Sequence, residues 1–560
     1  MENFNIFCIL QLLGGLAFFL YGMSVMSESL EKIAGGKLEQ ILKSITSSPT
    51  KGLLLGLGVT AVIQSSSAVT VMLVGLVNSG LIKLSQAIGV IMGSNIGTTA
   101  TAWILSLAGI QSSNSWVSLF KPDSLSPILA FVGILLFLVA KTAKNKNIGT
   151  VFLGFAVLMT GMIAMGSSMA PLSHCQSFIN LLTLFNNPFF GIFIGALLTA
   201  IIQSSSASVG MLQALALKVD ISCGAALPII MGQNIGTCIT AIISSIGVNA
   251  SARKVAVVHL SFNIIGTLIF LIAFLIGNAF FEIPYLAQTA NPARIAVLHS
   301  FFNIITTVLL FPFVKQLENL ADKIIKDDSS AKEVIIDERL LLAPELAIME
   351  ANQKLIKMTD LIKSNLIYST KLLKNYETKK AMVIVQNDQL INTYENKLKS
   401  YLIKVSNKEI SEETSNEIAR LLLTINDFKQ IQNCANSIFN VAEQKFSNRI
   451  EFSNELIEDL RVIVKKARAM IRTTQGALSN SDLKLAQDIE VYKQNIDDLI
   501  FKARNKHIQN VQYGHLPMEF DYMILNLFTD LSRTTEHCMK VSWMLLKKDT
   551  NQTLIETYSF

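Results

Sequence analysis

The chain has 560 residues, of which 51% are hydrophobic and only 16% charged, where soluble domains carry about 25% charged residues. Disorder and a single soluble core are both excluded. Of the 47 Lys+Arg and 41 Asp+Glu, residues 1–325 hold 15 and 9, which leaves 32 of each sign for the remainder. A nearly charge-free first part with net +6 therefore precedes a heavily charged, electrically neutral second part. The positive excess sits in short gaps between apolar stretches, the habit of cytoplasmic membrane loops, and forms no nucleic-acid footprint.

In chain order, the apolar run 6–30 has no Lys or Arg before it, so a first membrane helix is expected there rather than a cleaved leader. Runs at 128–140, 148–168, 255–277 and 295–314 approach the ~20 residues that a bilayer crossing needs. Segments 52–82, 86–108, 190–217 and 224–247 are apolar but interrupted by Gly and Ser, which predicts hairpins or broken helices buried within a bundle. Positive charges gather at Lys141, Lys144 and Lys146 and at Arg253 and Lys254, and a last group, Lys315, Lys323 and Lys326, is expected to put the exit to the second part on the cytoplasmic side. Asp327-Asp-Ser-Ser330 reads as part of a linker over 326–339. Beyond it, long amphipathic runs with few Gly or Pro (340–376, 410–446, 452–478, 481–506, 517–548) predict a soluble helical bundle. Cys434 and Cys538 occupy similar contexts in it, a sign of two weakly related sub-bundles. The six cysteines, Cys8, Cys175, Cys223, Cys238, Cys434 and Cys538, show no CxxC spacing and read as free thiols.

Self-comparison gives the strongest internal signal. Gly15, Gly22, Pro49, Gly56, Thr60, Gln64-Ser-Ser-Ser67, Gly93, Asn95, Gly97 and Thr98 recur without a gap 139 residues later, at Gly154, Gly161, Pro188, Gly195, Thr199, Gln203-Ser-Ser-Ser206, Gly232, Asn234, Gly236 and Thr237. The copies span about 15–107 and 154–246. Duplication inside a membrane domain is the habit of secondary transporters, whose site lies between the halves. A second duplication, at an offset of 40, relates Ala256–Asn263 to Ala296–Asn303.

The chemistry concentrates in Gln64, Ser65, Ser66 and Ser67 and their copies Gln203, Ser204, Ser205 and Ser206. Four consecutive polar side chains are expensive in an apolar stretch, far more than the one or two serines that commonly glue membrane helices. Hydroxyls and amides donate and accept, so such a cluster suits both a small hard cation and an oxyanion. In Gly93-Ser-Asn-Ile-Gly-Thr and Gly232-Gln-Asn-Ile-Gly-Thr, the glycines are expected either to break a helix and turn backbone amides toward an anion or to pack helices closely. Asn95, Thr98, Asn234 and Thr237 add side-chain oxygens. Between residues 40 and 320 only Asp123, Asp220, Glu282 and Glu318 are acidic, each near a segment end. An uncharged site of this kind holds a cation when an anion binds beside it, which couples the two. His259 and His299 read as structural, with a proton relay as the alternative. No Walker loop, HExxH or GxSxG is present, and an enzyme is not expected.

The paired QSSSA and GxNIGT segments, with the AxxHxxFN pair at 256–263 and 296–303, resemble the type II sodium-dependent phosphate cotransporter family over about residues 10–315. The resemblance implies an all-α polytopic membrane domain over 1–325, with two inverted repeats and QSSS segments at hairpin tips that bind phosphate and Na+. It assigns those roles to Gln64, Ser65, Ser66, Ser67, Gln203, Ser204, Ser205 and Ser206, with Asn95, Thr98, Asn234 and Thr237 as further candidates. Na+ is the coupling ion, with no cofactor and no transition metal. Where electrogenic animal members have Asp after the motif histidine, this chain has Leu260 and Ser300, which implies a lower, charge-neutral sodium stoichiometry. Residues 340–560 are similar to a PhoU-type domain. At its usual metal positions stand Phe428, Gln432 and Ser532, and only Glu536 is acidic, so no metal cluster is expected. The functional expectation is sodium-coupled phosphate uptake across the inner membrane, with a cytoplasmic regulatory domain through which a partner or a dimer contact acts. Phosphate export and phosphate sensing are the alternatives.

Overall fold

The computed structural model describes residues 6–43, 48–110, 121–171, 184, 187–280, 283–326, 334, 336–408, 410–480, 482–512 and 521–546. Asp327–Ser330, Cys175, Glu282 and Pro517 lie outside them. The chain forms two compact units, Met1–Ala331 and Lys332–Phe560.

The first unit is helical: α1 Ile6–Lys43, α2 Pro49–Ile63, α3 Ser66–Ser79, α4 Leu84–Ser106, α5 Pro122–Val139, α6 Ala143–Met169, α7 Pro188–Ile202, α8 Ser205–Ala216, α9 Cys223–Ser244, α10 Ala250–Phe280, α11 Pro292–Leu310 and α12 Val314–Ile324. Among the described residues six stretches are long and apolar enough to cross a membrane. They lie in α1, α4, α6, α9 and α10, and in α11 continued into α12. The apolar part of α5, Ser124–Val139, is shorter than such a span.

The expected interruptions divide into two kinds. Segments 52–82 and 190–217 are indeed broken, each into two short helices. Ser48 and Asn187 cap the first of each pair by accepting from the amides of Lys51 and Phe189, with Pro49 and Pro188 at the first turn. Each ends on a glutamine in the left-handed region, Gln64 at φ 63° and Gln203 at φ 61°. A serine then caps the next helix: Ser65 accepts from the amide of Ala68 and Ser204 from that of Ala207, both at 3.2 Å.

Segments 86–108 and 224–247 are not broken: α4 and α9 run through the GxNIGT motifs as continuous helices. Their glycines are there for approach. A Cβ on Gly93 would lie 1.9 Å from the carbonyl oxygen of Leu53 on α2, and one on Gly232 2.0 Å from that of Ile192 on α7. Gly56 and Gly195 return the contact, against the carbonyls of Val90 and Ile229. Small residues on both sides let the backbones touch, which is how membrane helices associate without a hydrophobic driving force between them.

A second seam joins α1 to α6, helices that correspond under the 139-residue repeat. Gly22 faces Gly154, where added Cβ atoms would lie 2.6 and 2.9 Å from the opposite carbonyl oxygens, and Gly15 faces Gly161 at 3.0 and 2.6 Å. As numbers rise along α1 they fall along α6, so the pair is antiparallel. Phe19, Met23, Leu158, Met159 and Met162 fill the space around it.

Among its described residues the second unit holds six α-helices of 26 to 36 residues: α13 Pro344–Leu372, α14 Thr378–Ser406, α15 Glu412–Ser447, α16 Asn454–Asn480, α17 Leu483–Gln512 and α18 Asp521–Leu546. α13–α15 pack as one group of three and α16–α18 as another, and α15 meets α18 between them. Cys434 and Cys538 are buried on that pair, where desolvation pushes their thiols up to about 11 and about 12.

Candidate functional site between the two helix breaks

The two QSSS breaks meet. The hydroxyl of Ser67, in the first turn of α3, donates to the backbone carbonyl of Gln203 at 3.2 Å. Ser206 of α8 donates to the hydroxyl of Thr101 on α4 at 3.3 Å, and Thr101 donates to Oε1 of Gln64 at 2.7 Å. A polar line therefore runs from one break to the other through α4. Segments 136 residues apart in sequence form one cluster in space.

The cluster suits an anion. α3 and α8, of 14 and 12 residues, both begin in it. The first amides of a helix have no intrahelical partner, and the macrodipole leaves partial positive charge at that end. Ser66 and Ser205 are buried within those first turns, at 7% and 4% exposure. Hydroxyl and amide oxygens of the same cluster are hard ligands suited to an alkali cation. Neither helix carries an acidic residue in its first turn, so an anion meets no fixed like charge there.

The remaining candidates sit differently. Thr98 and Thr237 turn their hydroxyls onto carbonyls of their own helices, those of Ser94 and Gln233, both at 2.9 Å. Asn95 donates to Asn263 Oδ1 at 3.0 Å, and Asn234 to the carbonyl of Ile230 at 2.9 Å. These four are engaged within the helical framework. Thr101, by contrast, joins the cluster and was not among the sequence candidates. A threonine one turn past the GxNIGT motif carries no signal of its own, since threonines in membrane helices ordinarily bond back to their own carbonyls.

Residues 18–167, and again 168–287, match the sequence pattern of the Na+/Pi-cotransporter family, and residues 355–443 match the PhoU domain. Residues 18–287 of the chain belong to the Na+/Pi-cotransporter family, and residues 355–443 to the PhoU domain. YjbB of Salmonella typhimurium, named as a candidate inorganic phosphate export protein, is 23% identical over 556 residues, covering 96% of this chain and 98% of that one. YqeW of Bacillus subtilis is 29% identical over 295 residues, 52% of this chain and 90% of its own. The rat sodium-dependent phosphate transport protein 2A is 44% identical over 99 residues, 17% of this chain and 15% of that one. The Na+/Pi-cotransporter family is one of transporters, and the six apolar spans make this member a membrane protein.

Proposed function

We propose that the protein carries inorganic phosphate together with Na+ across the cytoplasmic membrane, and that the cluster of Gln64, Ser65, Ser66, Ser67, Gln203, Ser204, Ser205 and Ser206, completed by Thr101, is the site that binds both. The observation that carries this reading is the meeting of the breaks through Ser67 and through the Ser206–Thr101–Gln64 line. Two helix N-termini favour the oxyanion, and side-chain oxygens favour the cation. Neither ion has a fixed counter-charge in the cluster, so each is held best in the presence of the other, which is coupling in the thermodynamic sense.

The two halves are inverted with respect to each other. The antiparallel crossing of the equivalent helices α1 and α6 supports this, with Gly15 on Gly161 and Gly22 on Gly154. The second unit is a cytoplasmic regulatory domain, a placement supported by the basic residues flanking the last membrane helix.

Labelled phosphate uptake by proteoliposomes, with and without a Na+ gradient, tests the function. Uptake that follows the gradient is expected, and uptake indifferent to Na+ refutes coupling. Gln203→Ala and Ser205→Ala should abolish uptake while the protein still inserts; normal uptake in both removes the site. Export is a second reading, favoured by the full-length similarity to YjbB. Efflux from phosphate-loaded vesicles that exceeds uptake under matched gradients would select it.

A further inference from the structure

We propose that two asparagine contacts, Asn95–Asn263 and Asn234–Asn303, are made alternately as the site turns from one face of the membrane to the other, and that the structure stands in the state in which the first is closed and the second open. The proposal rests on the inverted arrangement of the halves and not on sodium coupling.

The framework around the asparagines has the required symmetry. α4 and α9 correspond under the 139-residue repeat, and α10 and α11 under the 40-residue repeat. α4 packs against both α10 and α11, and so does α9. Asn95 on α4 has Asn234 on α9 as its counterpart, and Asn263 on α10 has Asn303 on α11. The contact Asn95–Asn263 thus predicts a matching contact Asn234–Asn303.

Only the first is made. Asn263 joins three helices: its Oδ1 accepts from Asn95 of α4 at 3.0 Å, and its Nδ2 reaches the sulfur of Cys238 on α9 at 3.3 Å and the carbonyl of His259 on its own helix at 3.0 Å. Asn303 donates to the equivalent carbonyl, that of His299, at 2.9 Å, but its Oδ1 is buried without a partner. Asn234, which would supply that partner, donates instead to Ile230 of its own helix. Thr99, in the place that Cys238 holds, bonds to Ile96 of its own helix at 2.7 Å. Asn303 is only 1% exposed. A buried acceptor left without a donor is costly away from water, and a rotation of the Asn234 side chain toward it would relieve the cost.

The same asymmetry appears at the cluster itself. Gln64, in the half whose asparagine contact is closed, is 6% exposed and bonded to Thr101, whereas Gln203 is exposed. One sequence motif, repeated, occupies two environments. In a protein of two equivalent halves, that is the form of a state whose mirror state exchanges the roles. Closing Asn234 on Asn303 and opening Asn95 from Asn263 would seal Gln203 and expose Gln64, so the asparagines act as positioning residues that favour one state over the other without touching substrate.

The test uses the full chain in right-side-out and inside-out vesicles, with a cysteine reporter at Gln64→Cys or Gln203→Cys and a membrane-impermeant maleimide. Labelling is corrected for that of the chain without the reporter. Asn263→Ala should raise labelling of the position-64 reporter relative to the position-203 reporter by about fivefold, the equivalent of one ordinary hydrogen bond. Asn303→Ala should shift the ratio the other way. A merely structural role would move neither ratio, or both in the same direction, and either result overturns the proposal. Should an alanine variant fail to insert, Asn263→Ser and Asn303→Ser give the same comparison with a smaller perturbation. Labelling needs no transport, so a protein that failed to carry phosphate would still report on the exchange.

Discussion

Gln64 and Gln203 pay for their positions in backbone strain. Left-handed φ is uncommon outside glycine, and a bulky side chain there is disfavoured, yet both copies hold a glutamine at φ 63° and 61°. The side chain is therefore what the position requires. Gln64 uses it to receive Thr101, and that hydroxyl is the hinge of the polar line between the halves. Thr101→Val keeps the shape and removes the hydroxyl; half-saturation for phosphate is expected to rise about tenfold, since breaking the line costs on the order of one strong hydrogen bond. A concentration series of labelled phosphate uptake reads this directly, and an unchanged half-saturation would take Thr101 out of the site. At this scale the sequence was informative where polarity was out of place. Four polar residues in an apolar run stand out, whereas Thr101 looks like any membrane threonine and acquires a role only through Ser206, 105 residues away.

At the scale of elements, the same glycines allowed two readings, a broken helix or a close contact, and only the neighbouring backbone distinguishes them. Gly93 and Gly232 lie against carbonyls of α2 and α7, so α4 and α9 stay whole; Gly58, also in a membrane helix, has nothing within 4 Å of its would-be Cβ. Gly93→Ala should therefore destabilise the membrane unit by about 1–3 kcal/mol, the cost of forcing a methyl group into a packed contact. Gly58→Ala should instead gain up to about 1 kcal/mol from helix propensity. Retention of monodisperse protein in detergent on heating ranks the two, and the reverse order would contradict the packing.

Amphipathic periodicity foretold the bundle but not how its first residues are fastened. The backbone amide of Asp337 donates to both carboxylate oxygens of Glu350 at 3.0 and 3.1 Å, while Tyr401 donates to the Asp337 carbonyl at 3.1 Å. Lys354 stands 3.8 Å from Glu350, and Arg339 pairs with the Asp337 carboxylate. Burial raises Glu350 from 4.5 to about 7 despite those partners. A carboxyl raised on folding binds more protons in the native state than in the unfolded one, so its contribution to stability is greatest below pH 4.5 and falls as the pH rises toward about 7. Glu350→Gln should flatten that part of the melting curve's pH dependence. An unaltered pH dependence would show that Glu350 titrates normally.

For the whole molecule, charge alone divides the sequence near residue 325, because a bilayer and water impose opposite compositions. Each unit has its own packed interior. Residues 1–331 expressed alone should insert and retain Na+-driven phosphate uptake, altered in rate or set-point only. Complete loss would make the bundle part of the transport machinery. Charge also bears on the electrical signature: with Leu260 and Ser300 after His259 and His299, no added carboxylate is available there for an extra cation. Phosphate applied to proteoliposomes at zero voltage should evoke no current while uptake proceeds, and a sustained current would require net charge movement.

The seam between α1 and α6 bears on how the two copies meet. Its glycines pair crosswise, each copy's earlier glycine with the other copy's later one, as the contact residues of a two-fold symmetric dimer do. A polypeptide carrying a single copy would present this same face to a second copy of itself, in the same crosswise pairing. The duplicated halves, divided between Ile110 and Lys121 and produced as separate pieces in one cell, should then find each other again through that seam.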